Sequence, residues 1–148
     1  MTRDLVIIGC GGFGREVADV VNAINAVSLE EPVWNLLGFL DDSPSDADRE
    51  RVQRLGSNVL GSVEERSGKL SGKSYVVGIG NGHARQRLAE IADSAGLVAA
   101  TLVHPSASVG STTLIGEGSI LCTGVAVTTN VSIGRHVNID RNLSLIHI

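Results

Sequence analysis

Branched aliphatic residues recur at every sixth position in the last third of the chain, and this period constrains the fold more than any other feature. The repeated positions are Val103, Val109, Ile115, Leu121, Val127, Ile133, Ile139 and Leu145. Small or aliphatic residues follow four positions later, at Ala107, Thr113, Ser119, Val125, Val131, Val137 and Leu143. Helices repeat every 3.6 residues and flat strands every two, so neither produces a period of six. The period predicts a three-sided parallel β-helix whose stacked coils bury one aliphatic column.

Glycine directly follows three of these aliphatic residues, at Gly110, Gly116 and Gly134. Glycine adopts backbone conformations that other residues avoid. We therefore expect these glycines to ease the corners between the sides of the β-helix.

The residues before the repeat alternate short apolar runs with helical patterns, which indicates a parallel α/β sheet. Apolar runs at 5–8 and 75–79 are typical of buried central strands. The pattern also predicts a last strand over 97–102. The boundary is expected near residue 102, with a Rossmann-like α/β domain over 1–102 and a β-helical domain over 103–148.

A glycine-rich turn separates the first strand from the first helix. Gly9, Gly11 and Gly14 match the pattern G-x-G-x-x-G. Such a turn lets a phosphate approach the backbone amides at a helix start, where the helix dipole favours an anion. The alternative interpretation is a tight turn that only packs the helix on the strand. Dinucleotide binding is less favoured, because no second nucleotide-binding half follows.

Polar residues follow two other strands of the predicted sheet. Asp41 and Asp42 end one strand, and Gly80 and Asn81 end another. Ligands of open α/β sheets bind beyond the carboxyl ends of the strands, so these residues could converge with the glycine-rich turn on one ligand. Alternatively, the two aspartates only begin a turn and Asn81 only caps a helix.

Composition limits the classes of partner and location. The net charge is −4 and the sequence has no basic run, so nucleic acid is not expected as a partner. The apolar runs are too short to cross a membrane, and no signal peptide is evident. Cys10 and Cys122 lie far apart and form no metal-binding motif, so we expect reduced thiols in a cytoplasmic protein without a metal site.

Four segments, in order, resemble bacterial sugar acetyltransferases of the NeuD and PglD types. They are residues 8–17, 38–42, 78–81 and 104–107. The resemblance implies a Rossmann-like domain that binds a sugar or nucleotide-sugar, followed by a left-handed β-helix that forms a homotrimer. It also implies acetyl-CoA as the co-substrate, bound between neighbouring β-helices, and an amine or hydroxyl of the sugar as the acceptor. The substrate-binding residues that it implies are Gly9, Gly11, Gly12, Phe13, Gly14, Asp41, Asp42, Gly80 and Asn81.

The same resemblance points to a histidine as general base. Residues 133–139 match the family stretch that leads to this base, and counting onward places His147 at its position. The neighbouring Ile146 and Ile148 depart from the family pattern, and the ending reads poorly as family sequence. We expect a chain truncated after two to three coils, with the acetyl-CoA contacts in the missing coils. If the tail is not native, the match at His147 is accidental and His147 is an exposed terminal residue. His136 is expected to project outward, as a solvated or subunit-interface residue.

Two other functions remain open from the sequence. One is a non-catalytic module that binds a nucleotide-sugar and trimerises through its coils. The other is an NAD(P)-dependent oxidoreductase domain, which only the glycine pattern suggests.

Overall fold

The structure is a computed structural model that describes residues 1–146. It begins with a five-stranded parallel sheet of order β3-β2-β1-β4-β5. The strands are β1 Arg3–Ile8, β2 Trp34–Leu40, β3 Val59–Gly61, β4 Ser74–Val77 and β5 Val98–Ala99. The helices are α1 Gly12–Ala26, α2 Asp46–Arg54, α3 Val63–Ser67 and α4 Gly82–Ser94, with a short 3₁₀ helix at Gly68–Leu70.

Burial explains why the central strands are continuous apolar runs. Residues 5–8 of β1 are fully buried, because helices cover both faces of the sheet. On one face, α1 packs through Val17, Val20 and Val21. On the other face, α4 packs through Leu88, Ala89 and Ala92.

The hexad repeat forms short parallel strands stacked in three columns. They are β6 Leu102–Val103, β7 Ser108–Val109, β8 Leu114–Ile115, β9 Ile120–Leu121, β10 Ala126–Val127, β11 Ser132–Ile133, β12 Asn138–Ile139 and β13 Ser144–Leu145. Leu102 pairs with Ile120, and Ile120 with Asn138, so each coil takes 18 residues, or three hexads. The predicted parallel α/β sheet followed by a β-helix is confirmed.

The corners of the coils differ from the prediction. Left-handed φ values fall at Gly118, Gly124, Asn130, His136 and Asn142, three residues after the repeated aliphatic position. Gly110 and Gly116 do not have this conformation. A Cβ on Gly110 would lie 2.6 Å from the Thr128 carbonyl oxygen, and one on Gly116 would lie 2.4 Å from that of Gly134. These two glycines allow adjacent coils to stack closely, so the prediction that they ease the corners is wrong.

The junction between sheet and coils also differs from the predicted strand over 97–102. This segment forms two separate strands, since β5 pairs with β4 in the sheet whereas β6 pairs with β9 in the coils. The apolar cores on the two sides are nevertheless continuous. One buried cluster includes Leu5 and Val17 of the α/β part together with Leu102, Ile120 and Leu121 of the coils. The coils therefore pack directly on the α1 side of the sheet.

Candidate functional site

The glycine-rich turn leaves β1 and enters α1 at the carboxyl edge of the sheet. Gly9 has φ +100°, a conformation that favours glycine, and its amide donates to the Leu40 carbonyl at 2.7 Å. Gly11 is the N-cap residue of α1, and no side chain caps the helix. The first turn of α1 also contains no acidic residue. Its amide groups and positive dipole end are thus available to an anion.

Gly14 serves the packing of α1 on the sheet. A Cβ at this position would lie 1.9 Å from the carbonyl oxygen of Gly9. A Cβ on Gly78, at the end of β4, would lie 2.8 Å from the Cα of Gly14. Only residues without a side chain allow α1 to approach both strands this closely.

Gly11, Gly12 and Gly80 are glycines for which the fold has no steric requirement. A Cβ on any of them would meet no atom within 4 Å, and none of the three has a left-handed φ. The protein itself therefore leaves open space over these positions. A ligand that lies close to the backbone would need this space.

The polar residues at the strand ends are bonded within the protein. Asp41 accepts hydrogen bonds from the amides of Cys10 and Ser43, both at 3.0 Å. Asp42 accepts from the amide of Val63 at 3.0 Å, at the start of α3. Asn81 caps α4 by accepting from the Ala84 amide at 2.9 Å. Each side chain therefore has a structural role at the predicted edge.

A cavity of about 470 Å³ lies between this edge and the third coil, which begins at Asn138. It is lined by Gly12, Phe13, Glu16, Gly80, Arg85, Asn138, Asp140 and Arg141. Three of these, Gly12, Phe13 and Gly80, are predicted site residues. Gly11 is the N-cap residue of α1, directly before the lining residue Gly12. Gly9 and Gly14 do not line the cavity, but their close packing shapes the turn. Asp41, Asp42 and Asn81 are not part of the lining.

Five lining residues were missed by sequence reasoning. Glu16 and Arg85 belong to α1 and α4, whereas Asn138, Asp140 and Arg141 belong to the coils. Asn138 and Asp140 flank the inward-facing Ile139, so the period of six predicts that they face outward. It does not predict which side of the coil meets the α/β domain. Glu16 lies in the first segment of the family resemblance, and this position was the one signal in the sequence that could have pointed to any of these five residues.

Charged groups of both signs join the two walls of the cavity. Arg141 of the coil forms an ion pair with Glu16 of α1 at 2.6 Å. Arg85 donates from Nε to the carbonyl oxygen of His136 at 2.8 Å. Its Nη1 donates to the carbonyl oxygens of Ile79 and Gly80 at 3.0 and 3.1 Å. The cavity thus combines a helix N-terminus, two guanidinium groups and two carboxylates.

His136 packs at the junction rather than into solvent. Its ring stacks on Tyr75 with the ring centroids 5.8 Å apart, and its Nε2 lies 3.4 Å from the Tyr75 hydroxyl. The hydroxyl donates to a carboxylate oxygen of Asp93 at 2.6 Å. His136 Nδ1 is buried and has no hydrogen-bond partner among residues 1–146. His136 is therefore half-buried against Tyr75 rather than fully solvated, and its place at a subunit interface stays a prediction.

Burial perturbs two titratable groups at this junction. It lowers the pKa of His136, and the neighbouring charge of Arg135 lowers that pKa further. It also raises the pKa of the Tyr75 phenol, together with the hydrogen bond to Asp93. Both groups are thereby held in their neutral forms at neutral pH.

The other histidines occupy distinct positions. His104 Nδ1 accepts a hydrogen bond from the Ser106 amide at 3.0 Å and lies 2.8 Å from the Ser106 hydroxyl, so it organises the turn at the junction. His83 is exposed in the first turn of α4. His147, the predicted general base, lies outside the described residues. Within the described residues, no three His, Cys, Asp or Glu side chains are grouped to hold a metal ion.

No helix among the described residues is both long and apolar enough to cross a membrane.

Residues 4–92 match the family of the PglD N-terminal domain. No curated protein matches the chain. Among solved structures, PerB from Caulobacter crescentus in complex with CoA and GDP-perosamine is 27% identical, with a TM-score of 0.79. That match covers 97% of this chain and 63% of PerB.

Two further solved structures share the fold at lower identity. The acetyltransferase domain of PglB from Neisseria gonorrhoeae FA1090, in complex with acetyl coenzyme A, is 24% identical with a TM-score of 0.78. Its match covers 99% of this chain and 66% of that domain. WeeI from Acinetobacter baumannii AYE is 22% identical with a TM-score of 0.75, over 100% of this chain and 65% of WeeI.

The chain spans 63–66% of the length of these three structures. The family match covers the β1–α1 turn, the segment after β4 at Gly80 and most of α4, which form the α/β wall of the cavity. The chain belongs to the family of proteins that carry the PglD N-terminal domain.

Proposed function

We propose that the protein transfers an acetyl group from acetyl-CoA to an amine or hydroxyl of a nucleotide-linked sugar. The observation that carries this proposal is the cavity between the uncapped start of α1 and the third coil. It offers a phosphate site at one end and a wall of coil residues at the other. The bound molecules of PerB, CoA and GDP-perosamine, support the same classes of ligand here.

The chemistry of the two walls supports one orientation of the ligand, which is part of the proposal. The phosphates lie over Gly11 and Gly12, where a helix start without a capping side chain supplies amide donors and open space. The sugar extends past Gly80 toward Asn138 and Asp140 of the coil. Asp41 and Asp42 support the edge through the backbone amides that they bind.

The reaction joins the acceptor to the thioester carbonyl of acetyl-CoA. A histidine removes a proton from the attacking amine or hydroxyl, and coenzyme A leaves as the thiol while the amide or ester forms. Histidine suits this role because its ordinary pKa lies near neutrality. We assign the base to His147 on the sequence pattern alone. The coils would also form a homotrimer that binds acetyl-CoA between subunits.

The first test is ligand binding followed by turnover. Calorimetry with GDP- and UDP-linked amino-sugars should detect binding, and with the full-length protein free thiol should then appear when acetyl-CoA is added. Binding without thiol release would instead favour the non-catalytic module. Binding of NAD(P) in place of nucleotide-sugars would favour the oxidoreductase interpretation. If neither amino-sugars nor sialic acids bind or react, the proposed function is wrong.

The second test concerns the base and the assembly. His147→Ala should abolish thiol release without weakening nucleotide-sugar binding, whereas the exposed His83→Ala should leave both unchanged. Equal activity in the His147 variant would contradict the assignment. Sedimentation equilibrium should give the mass of a trimer, and a monomer at working concentration would contradict the proposed assembly.

A further inference from the structure

The half-buried side chain of Arg85 spans the junction between the α/β part and the coils. Its Nη1 donates to the carbonyl oxygens of Ile79 and Gly80, at 3.0 and 3.1 Å. Its Nε donates to the carbonyl oxygen of His136 on the coil, at 2.8 Å. One guanidinium group thus holds three backbone oxygens from two parts of the fold.

The carbonyl groups that Arg85 holds belong to two segments that adjoin the opposite walls of the cavity. Gly80 lines the α/β wall, and Asn138, two residues after His136, lines the coil wall. Asn138 Nδ2 lies 3.4 Å from the Ile79 carbonyl oxygen, a weaker contact in the same place. Arg85 therefore acts together with the Glu16–Arg141 ion pair and the shared apolar core in holding the two walls at their distance.

The geometry of these contacts requires arginine. A guanidinium group presents several N–H donors in a planar fork, whereas a lysine ammonium is a single compact charge. Lysine at position 85 would keep the charge, but it could not reach oxygens on both walls with the same alignment. No carboxylate forms an ion pair with Arg85 in the portion covered by the structure, so its role is to hold backbone.

We propose that Arg85 is a positioning residue that fixes the spacing between the segment after β4, at Ile79 and Gly80, and the coil segment at His136, which adjoins the coil wall of the cavity. The inference rests on the proposed function, in that a nucleotide-sugar is the ligand that spans the two walls. Arg85 makes no hydrogen bond to the turn between β1 and α1. Loss of Arg85 should therefore affect the part of the ligand near the coil more than the phosphates at the start of α1.

Calorimetry can separate these two parts of the ligand. For each variant, the dissociation constants of GDP and of a GDP-linked amino-sugar are measured, with the UDP pair in parallel. Arg85→Lys should weaken binding of the nucleotide-sugar about tenfold, equivalent to ~1.4 kcal/mol, while the affinity for the free nucleotide changes less than about twofold. Arg87→Lys is the matched control, because Arg87 lies on the same helix but is exposed.

Hydrogen exchange supplies a readout that needs no ligand. Peptides covering residues 78–82 and 134–140 should exchange faster in Arg85→Lys than in the wild type, and at the wild-type rate in Arg87→Lys. Unchanged exchange in Arg85→Lys would overturn the inference. The inference would also be overturned if Arg85→Lys exchanged faster but bound the nucleotide-sugar as tightly as the wild type. It would likewise be overturned if Arg85→Lys lost as much affinity for the free nucleotide as for the nucleotide-sugar.

The two proposals can fail separately. If the wild-type protein binds no nucleotide or nucleotide-sugar, the proposed function fails. Hydrogen exchange then still decides whether Arg85 holds the two walls together.

Discussion

Replacing Gly14 with alanine should destabilise the fold, whereas replacing Gly12 with alanine should weaken ligand binding without loss of stability. At position 14 the new Cβ would lie 1.9 Å from the Gly9 carbonyl oxygen and 2.7 Å from its carbonyl carbon. A tolerable contact requires a separation of at least about 3 Å, so the backbone of α1 or of the turn must move by about 1 Å. Such a shift cannot be absorbed by a side-chain rotation.

The expected cost follows from the kind of atom that is displaced. Inserting a methyl group into a packed interior costs about 1–3 kcal/mol, and more when rigid backbone must shift. We therefore expect Gly14→Ala to lower the free energy of unfolding by about 3 kcal/mol or more. At position 12 the new Cβ meets no atom within 4 Å. Gly12→Ala should leave stability unchanged or raise it by up to about 1 kcal/mol, because alanine restricts the unfolded chain.

The assay combines urea unfolding with calorimetry on both variants. Gly12→Ala should bind GDP or UDP at least about tenfold more weakly than the wild type, because the methyl group occupies the ligand's space. A Gly14→Ala variant within about 0.5 kcal/mol of the wild type would refute the packing explanation. Unchanged nucleotide affinity in Gly12→Ala would refute the interpretation of the open space as a ligand site.

Three further predictions follow from burial. Ile139→Ala should lower the free energy of unfolding by about 2–5 kcal/mol in urea titrations, because Ile139 lines the aliphatic column. Leu114→Ala, at a position 70% exposed, should change it by less than about 0.5 kcal/mol. Because burial lowers the pKa of His136, the unfolded chain binds the extra proton more readily, so stability should fall as the pH drops below about 6.5. Urea titrations at several pH values give the free energy of unfolding as a function of pH. This free energy should depend less steeply on pH in His136→Asn than in the wild type, and an equal dependence would contradict the assignment to His136. Burial raises the pKa of the Cys10 thiol to about 12 and that of the Cys122 thiol to about 11. Alkylation of these thiols at pH 8 should therefore be slow in the native protein and fast in urea. Equal alkylation rates under the two conditions would contradict the burial of the thiols.

The architecture was predictable because each part has its own sequence period. The six-residue period predicted the coils, since an inward aliphatic such as Leu121 or Ile133 must recur wherever a side of the coil crosses the interior. The corner conformation was not predictable from the glycines that follow these residues. This conformation falls three positions after the repeated aliphatic residue, where asparagine and histidine also adopt a left-handed φ, as at Asn130 and His136.

Three of the eight residues that line the cavity were predictable, and the reason is local geometry. The turn around Gly11 and Gly12 follows from a strand, a glycine pattern and a helix that are adjacent in sequence. The coil wall depends on contacts between residues far apart in the chain. Tyr75 and His136, which stack at the junction, are separated by 61 residues. No periodicity predicts the angle at which such partners meet.

The shared core makes the coils part of the α/β site rather than an appendage to it. The buried face of α1 belongs to the same apolar cluster as Leu102 and Ile120 of the coils. The ion pair between Glu16 and Arg141 joins the exposed side of α1 to the third coil. The start of α1 carries the proposed phosphate site, so a change in coil packing would move that site together with the wall that faces it. Binding by the glycine-rich turn should therefore respond to substitutions inside the β-helix, which would not be expected of two domains joined only by a linker.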